Sequence, residues 1–173
     1  MDITQEQLIP IEIYTDGSLK TNLGRDLTFG AWAFIIIKDG KIEHQMADSV
    51  INTTNQRMEL LAIVNALKYI DPIRLPTERV KVYSDSAYFI NCYREAWYKK
   101  WMYNGWMTSK NTSVLHIDLW EQIIPFFNHN WYYFDKVPAH AGNLWNNYCD
   151  NLVQQTAQYA KTHWRGYNDK RNL

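Results

Sequence analysis

Four carboxylates carry the chemistry that this 173-residue chain could perform: Asp16, Glu59, Asp85 and Asp150. Asp16 and Asp85 have similar settings, Tyr14-Thr15-Asp16-Gly17-Ser18 and Val82-Tyr83-Ser84-Asp85-Ser86, each at the close of a short run of strand character. Glu59 lies inside Thr53-Thr54-Asn55-Gln56-Arg57-Met58-Glu59-Leu60-Leu61-Ala62, where a polar turn becomes an apolar helix, and Asp150 follows Cys149 in the last helical stretch. Singly, each has an ordinary explanation. Asp-Gly and Asp-Ser are turn chemistry, a carboxylate near a helix start gains roughly 0.3–1 kcal/mol from the macrodipole, and a helix-flank Asp is usually solvated. Together they make an all-oxygen donor set, which suits hard cations such as Mg²⁺ or Mn²⁺. Cys92 and Cys149 have no CxxC or Cys/His spacing and read as buried thiols, so a zinc site is not expected. Four clustered negative charges repel one another. Two divalent ions would neutralise them, and a pair roughly 3.5–4 Å apart is the arrangement that stabilises both attacking and leaving oxygens in phosphoryl transfer.

Strands and helices must bring these groups together. Ile11, Ile13 and Thr15 alternate with Glu12, Tyr14 and Asp16, which predicts a strand ending at the Asp16-Gly17 turn. Gly30 to Ile37 is a second strand, Asp39-Gly40 favours a two-residue hairpin, and a third strand runs from Lys41 to about Asp48. Thr53 with Gln56 offers a capping box for the helix that follows, whose residues Leu60, Leu61, Ala62, Ile63, Val64, Ala66 and Leu67 are apolar on most of the circumference. That helix should lie against a sheet. Pro72 and Pro76 bracket its exit, Val80 to Asp85 is a fourth strand, and a helix starts at Ser86. Ile117, Trp120, Ile124 and Phe127 keep helical spacing, in a helix that Pro125 should kink or shorten. Trp131 to Val137 is a fifth strand, Pro138-Ala139-His140-Ala141-Gly142 a loop, and a last helix presents Cys149, Leu152, Val153, Thr156 and Ala157 as its apolar face. The order is three strands, helix, strand, helices, strand, helix. It predicts one mixed α/β domain over residues 1–173, with its core between about 11 and 160.

Composition sets the remaining bounds. At 46% hydrophobic and 21% charged residues the chain is of ordinary globular type, but 8 Trp and 12 Tyr are many for its length and suit stacking surfaces as well as a core. The first ten residues lack signal-peptide character and no apolar run is long enough to span a bilayer, so a cytoplasmic monomer without membrane association is expected. A formal net charge of zero argues weakly against a nucleic-acid partner. Setting the four carboxylates aside leaves a modest basic excess over the rest of the chain, so attraction to phosphate survives.

Six segments, in order, are similar to type 1 ribonuclease H: Tyr14 to Ser18, Thr53 to Leu60, Ser84-Asp85-Ser86, Gly105-Trp106-Met107-Thr108, Ile117-Asp118-Leu119-Trp120, and Ala139-His140-Ala141-Gly142 with Cys149-Asp150. The resemblance runs from about Ile11 to Ala157. It implies a ribonuclease H-like fold, a five-stranded mixed sheet in which a three-strand antiparallel meander joins two parallel strands, flanked by helices. It also implies hydrolysis of the RNA strand of RNA/DNA hybrids with two Mg²⁺ ions, Mn²⁺ substituting, to give 5′-phosphate and 3′-hydroxyl ends. Asp16, Glu59, Asp85 and Asp150 then correspond to the family's metal-binding carboxylates and His140 to a loop histidine that passes protons or assists product release. Thr54, Asn55, Gln56 and Arg57 fall where the family grips the hybrid backbone, which presents 2′-hydroxyls and few discriminating base edges. Trp97, Lys99, Lys100, Trp101 and Trp106 are similar to the handle that holds the DNA strand, with Trp97 the first choice for that contact and at least one of these tryptophans packing the handle itself. Three features depart from the family: Leu19 to Gly30 lacks its Gly/Pro-rich loop, Ala87 replaces a polar side chain, and the handle is poor in lysine. Two other classes remain to be weighed, a non-catalytic hybrid-binding module and a DNA-processing nuclease of the same fold.

Overall fold

The computed structural model describes residues 10–21, 28–137 and 143–163. Its strands are β1 (Ile11–Thr21), β2 (Thr28–Lys38), β3 (Lys41–Ile51), β4 (Val80–Ser84) and β5 (Tyr132–Lys136). Its helices are α1 (Asn55–Ile70), α2 (Ala87–Arg94), α3 (Trp97–Tyr103), α4 (Ile117–Phe127) and α5 (Leu144–His163). The five strands form one sheet in the order β3-β2-β1-β4-β5. The pairs β1/β2 and β2/β3 are antiparallel, whereas β1/β4 and β4/β5 are parallel. This is the mixed sheet expected. Asp39 and Gly40 make the β2–β3 hairpin with φ of 51° and 70°, the left-handed pair that a two-residue turn requires.

Two apolar clusters sandwich the sheet. On one face Ile11, Ile13, Phe34, Ile36, Val80 and Val82 pack against Met58, Ile63 and Leu67 of α1 and against Phe89 and Trp120 of α2 and α4. On the other face Tyr14, Ala31, Ala33 and Ile35 receive Cys149, Val153 and Ala157 of α5, four residues apart along one helical stripe. Both cysteines are buried and free, as expected.

Several boundaries differ from the sequence reading, each for a physical reason. β1 does not turn at Asp16-Gly17. It continues to Thr21 because β2 pairs with it along that whole length, Gly17 opposite Trp32 and Thr21 opposite Thr28. The ladder overrides the local turn propensity. β3 likewise runs past Asp48 to Ile51, which lies opposite Phe29. The N-cap of α1 is Thr54, whose hydroxyl accepts from the Arg57 amide at 3.2 Å, while Thr53 is buried beneath it and bonded through its backbone to Thr28. The N-cap therefore lies one residue beyond the predicted Thr53, and with Arg57 rather than Glu or Gln three residues on, the predicted capping box does not form. Pro125 does not end α4: the helix includes it and stops two residues later at Phe127, so the missing amide falls in the final turn.

Candidate active site

Asp16 and Asp85 occupy adjacent parallel strands at one level. The β1/β4 register pairs Thr15 with Ser84, and the two aspartates are the next residues on each chain. Asp16 is thus within β1 as β2 sees it, yet at the end of pairing as β4 sees it. Sites in α/β sheets form at such ends.

A glycine brings α1 to this point. A Cβ on Gly17 would overlap the Glu59 amide nitrogen and the Met58 carbonyl carbon, and would stand 2.7 Å from the Met58 oxygen. On β2, a Cβ on Gly30 would meet Thr53 Cγ2 at 2.6 Å and the Met58 sulfur at 2.7 Å. The two glycines make a trough in which the first turn of α1 rests on the sheet, and this contact sets Glu59 beside Asp16 and Asp85. Glu59 itself lies beyond the first helical turn, which holds no acid, so the macrodipole explanation of its charge falls away.

Asn55, expected to touch substrate, is exposed, and both ends of its amide are hydrogen-bonded to other residues of the chain. Its Oδ1 accepts from the Leu19 amide at 3.1 Å and its Nδ2 donates to Glu59 Oε1 at 2.7 Å. It ties β1 to the carboxylate. Arg57 is also occupied, its guanidinium donating to both Asp118 oxygens at 3.1 and 2.8 Å. Thr54 is exposed and Gln56 half-buried at the same end of α1.

The carboxylates feel one another. Burial raises Asp16 from its usual 3.8 to about 7, with Asp85, Asp150 and Glu59 adding repulsion and the Gly17 amide opposing it. Glu59 is raised by burial, against the Ser86 hydroxyl and Asn55 amide that stabilise its anion, and by the charge of Asp85. Asp85 is raised by partial desolvation, and Asp150 raises it further while Lys136 opposes the shift. The buried thiol of Cys149 is pushed upward, mainly by burial and then by Asp16, Asp85 and Asp150. Asp150 is exposed on α5 and accepts from Gln154 at 3.1 Å.

Among the described residues no three His, Cys, Asp or Glu side chains are already grouped as a cation cage. The cluster is one of electrostatic coupling rather than of finished ligand spacing. Its donor chemistry still fits a divalent cation: the oxygens are hard, and among the described residues none of the four acids is in an ion pair that would neutralise it.

The aromatic handle divides. Trp101 is 6% exposed and packs edge-on against Trp120 in the core, while its remaining surface lines the groove beside Trp97. Trp106 is half-buried against the same core with φ of 64°, its amide donating to the Trp101 carbonyl at 2.7 Å. Trp97 is half-buried, its indole nitrogen donating to Glu95 at 2.8 Å. Together with Tyr88, Lys100, Met107 and Thr108 it lines a groove of about 380 Å³. Lys99 and Lys100 are exposed. His140 lies outside the described residues. The sequence reading gave Ser86 only the start of a helix and Asp118 only a place in a family-like segment; in the structure Ser86 caps α2 and favours the Glu59 anion, and His116 and Asp118 close on Thr54 and Arg57. Nothing local signalled these pairings, which join residues some sixty apart or on different elements.

The model of the RNase H family matches residues 9–158. The chain belongs to the RNase H family. A curated ribonuclease H of Syntrophomonas wolfei is 40% identical over 144 residues, covering 83% of this chain and 93% of that one. A ribonuclease H of Thermoanaerobacter sp. is 37% identical over 145 residues, covering 84% and 88%. These relatives are enzymes by name. Among solved structures, the foamy viral protease-reverse transcriptase in complex with dsDNA superposes with a TM-score of 0.74 at 23% identity over 86% of this chain and 94% of that one. The RNase H1 called LC11, in complex with an RNA/DNA hybrid, superposes with a TM-score of 0.60 at 21% identity over 87% and 99%. At those identities the likeness is one of fold, and it is the ribonuclease H fold. Among the described residues no helix is long and apolar enough to cross a membrane.

Proposed function

We propose that this protein hydrolyses the RNA strand of RNA/DNA hybrids, as a single catalytic unit using two divalent metal ions and leaving 5′-phosphate and 3′-hydroxyl ends. The observation that carries the proposal is Asp16. In a chain of the RNase H family, the β1/β4 register sets Asp16 level with Asp85, and burial, then the charges of Asp85, Asp150 and Glu59, push its carboxyl up to about 7, a state that a nearby cation relieves. Asp16, Glu59, Asp85 and Asp150 are the residues that would hold Mg²⁺, or Mn²⁺ in its place. When bound, such ions activate water at neutral pH and offset charge on the reacting phosphate. Asn55 holds the Glu59 carboxylate by a hydrogen bond, and the Ser86 hydroxyl favours its ionised form. His140, whose ordinary pKa is near 6.5, is the proposed proton carrier. Thr54 and Gln56 would meet the hybrid backbone, and Trp97 with Lys99 and Lys100 would hold the DNA strand at the groove. Asn55 and Arg57, already bonded to Glu59 and Asp118, and Trp101, which lines the groove while packed on Trp120, would brace this surface, with Trp106 half-buried beside it.

The test is a strand-labelled hybrid incubated with the protein and Mg²⁺ or Mn²⁺, with EDTA and all-DNA duplex as controls. Cleavage of the RNA strand alone, abolished by EDTA and by Asp16→Asn, is expected. Binding without cleavage would replace the proposal with a hybrid-binding module, and cleavage of duplex DNA without hybrid cleavage would replace it with a DNA nuclease.

A further inference from the structure

On the sheet face that carries α5, the helix packs over β3, β2 and β1, and a groove of about 540 Å³ lies at the opposite edge. Lys81 of β4 and Tyr133 and Asp135 of β5 line it, with Arg79 just before β4 and Tyr93 and Arg94 reaching in from α2. Three cations thus share the wall with one carboxylate. Asp135 engages two of them, Arg94 at one oxygen and Lys81 at the other, 3.5 Å away. Glu12, level with Lys81 on β1, does not line the groove. Arg79 is left over. Among the described residues it is in no ion pair, and its buried Nε has no hydrogen-bond partner. Its guanidinium lies over the Tyr133 ring, 6.0 Å from the centroid. A guanidinium only donates, and a donor unmet in a buried setting is costly, so what this wall lacks is an acceptor. The surplus positive charge favours an anionic one. Tyr133 is 41% exposed, and its hydroxyl is tied to the Asn130 carbonyl at 2.9 Å, which leaves the ring as its free surface. A phosphate acceptor beside a flat face that can stack is the chemistry of a nucleotide.

We infer that this groove is a nucleotide-binding surface, separate from the carboxylates and from the Trp97 groove, in which Arg79 takes a phosphate and Tyr133 stacks on a base. Its place on the sheet favours a strand already held at the carboxylates. Side chains alternate along a strand, so Arg79, Lys81, Tyr83 and Asp85 fall on one side of β4. At roughly 3.3 Å per residue, Lys81 stands about 13 Å and Arg79 about 20 Å from Asp85. Those spans match roughly four to six stacked nucleotides at ~3.4 Å each. A single-stranded extension of a bound duplex can cover that distance. A free mononucleotide is the other source of the same chemistry.

Fluorescence anisotropy in EDTA compares a blunt RNA/DNA hybrid with the same hybrid carrying a DNA extension of about six nucleotides at its 5′ or 3′ end. The proteins are wild type, Arg79→Gln, Arg79→Lys and Tyr133→Leu, and each is also titrated with adenosine 5′-monophosphate. An extension at one of the two ends should raise wild-type affinity roughly fivefold to tenfold, the worth of one stacked base. Arg79→Gln and Tyr133→Leu should each remove most of that gain and leave blunt-hybrid affinity unchanged. Arg79→Gln should also reduce the slope of log affinity against log salt by about 0.7, the loss of one single-strand phosphate contact, and Arg79→Lys should restore it. Tyr133→Leu should leave that slope alone, a split that damage to the fold would not produce. Because Tyr133→Leu keeps the ion pairs of the groove, it carries the comparison if Arg79→Gln melts early. Equal affinity for blunt and extended hybrids, with monophosphate binding that both variants lose, would keep the groove and make a free nucleotide its ligand. Equal affinity without monophosphate binding, or a gain that both variants retain, would overturn the inference. Failure to bind even the blunt hybrid would count against the proposed function, and the monophosphate titration would still decide the groove.

Discussion

Raising the pH of the metal-free protein from 5 to 8 should weaken its fold. Most proteins gain stability over that range as carboxylates ionise into favourable settings, but Asp16 does the reverse. Its folded pKa of about 7 lies above the usual 3.8, so the folded chain binds this proton more tightly than the unfolded chain does. The stability linked to it is therefore complete below about pH 4 and is lost as pH rises toward and through 7. At about 1.4 kcal/mol per tenfold change in proton affinity, the full interval amounts to about 4 kcal/mol, of which roughly 2–3 kcal/mol falls between pH 5 and 8. Glu59 and Asp85 are raised too and act in the same direction. Glu78, Asp118 and Asp135 are lowered, but their contributions are already complete above about pH 5 and change little across the window. His116, also lowered, opposes Asp16 between about pH 5 and 6.5, because the unfolded chain then binds the extra proton. Urea denaturation in EDTA at both pH values, for wild type and Asp16→Asn, separates these contributions. The substitution should make the protein more stable than wild type at pH 8, and the gain should shrink toward pH 5. A gain independent of pH, or a loss at pH 8, would refute the electrostatic account of the cluster.

Three further expectations concern placement. Gly17→Ala sets a methyl group against the backbone of Met58 and Glu59, so it should cost at least about 1–3 kcal/mol in urea denaturation and depress turnover through displacement of Glu59; a variant of unchanged stability would show that α1 does not rest on β1 as described. Asn55→Ala removes the bond to Glu59 while leaving the Thr54 cap, so kcat should fall more than hybrid affinity does, and the opposite pattern would return Asn55 to the substrate surface. Trp101→Ala should destabilise the fold by about 3–5 kcal/mol, whereas Trp97→Ala, which removes a half-buried ring beside Tyr88 and Trp101, should cost clearly less and weaken hybrid binding; equal thermal effects would contradict their different burial.

How much of this was legible beforehand follows from which forces are local. The alternation of Ile11, Ile13 and Thr15, the Asp39-Gly40 turn and the apolar girth of Leu60 to Leu67 are period and turn chemistry, and they reappear as β1, the β2–β3 hairpin and the buried α1. The four acids and their oxygen chemistry were legible too, because residue type alone restricts which cation they suit. Tertiary structure decided everything that depends on a partner distant in sequence. β1 runs through Asp16-Gly17 because a second strand supplies its hydrogen bonds. Gly17 is needed for the closeness of a helix some forty residues on rather than for a turn. Asn55, though exposed, and Arg57 are engaged within the protein because Glu59 and Asp118 accept their protons, and Trp101 is buried because Trp120 lies against it. The chain by itself set the chemistry on offer. Packing decided which of those side chains have partners inside the protein, because hydrogen bonds and contacts between residues distant in sequence form only in the folded chain.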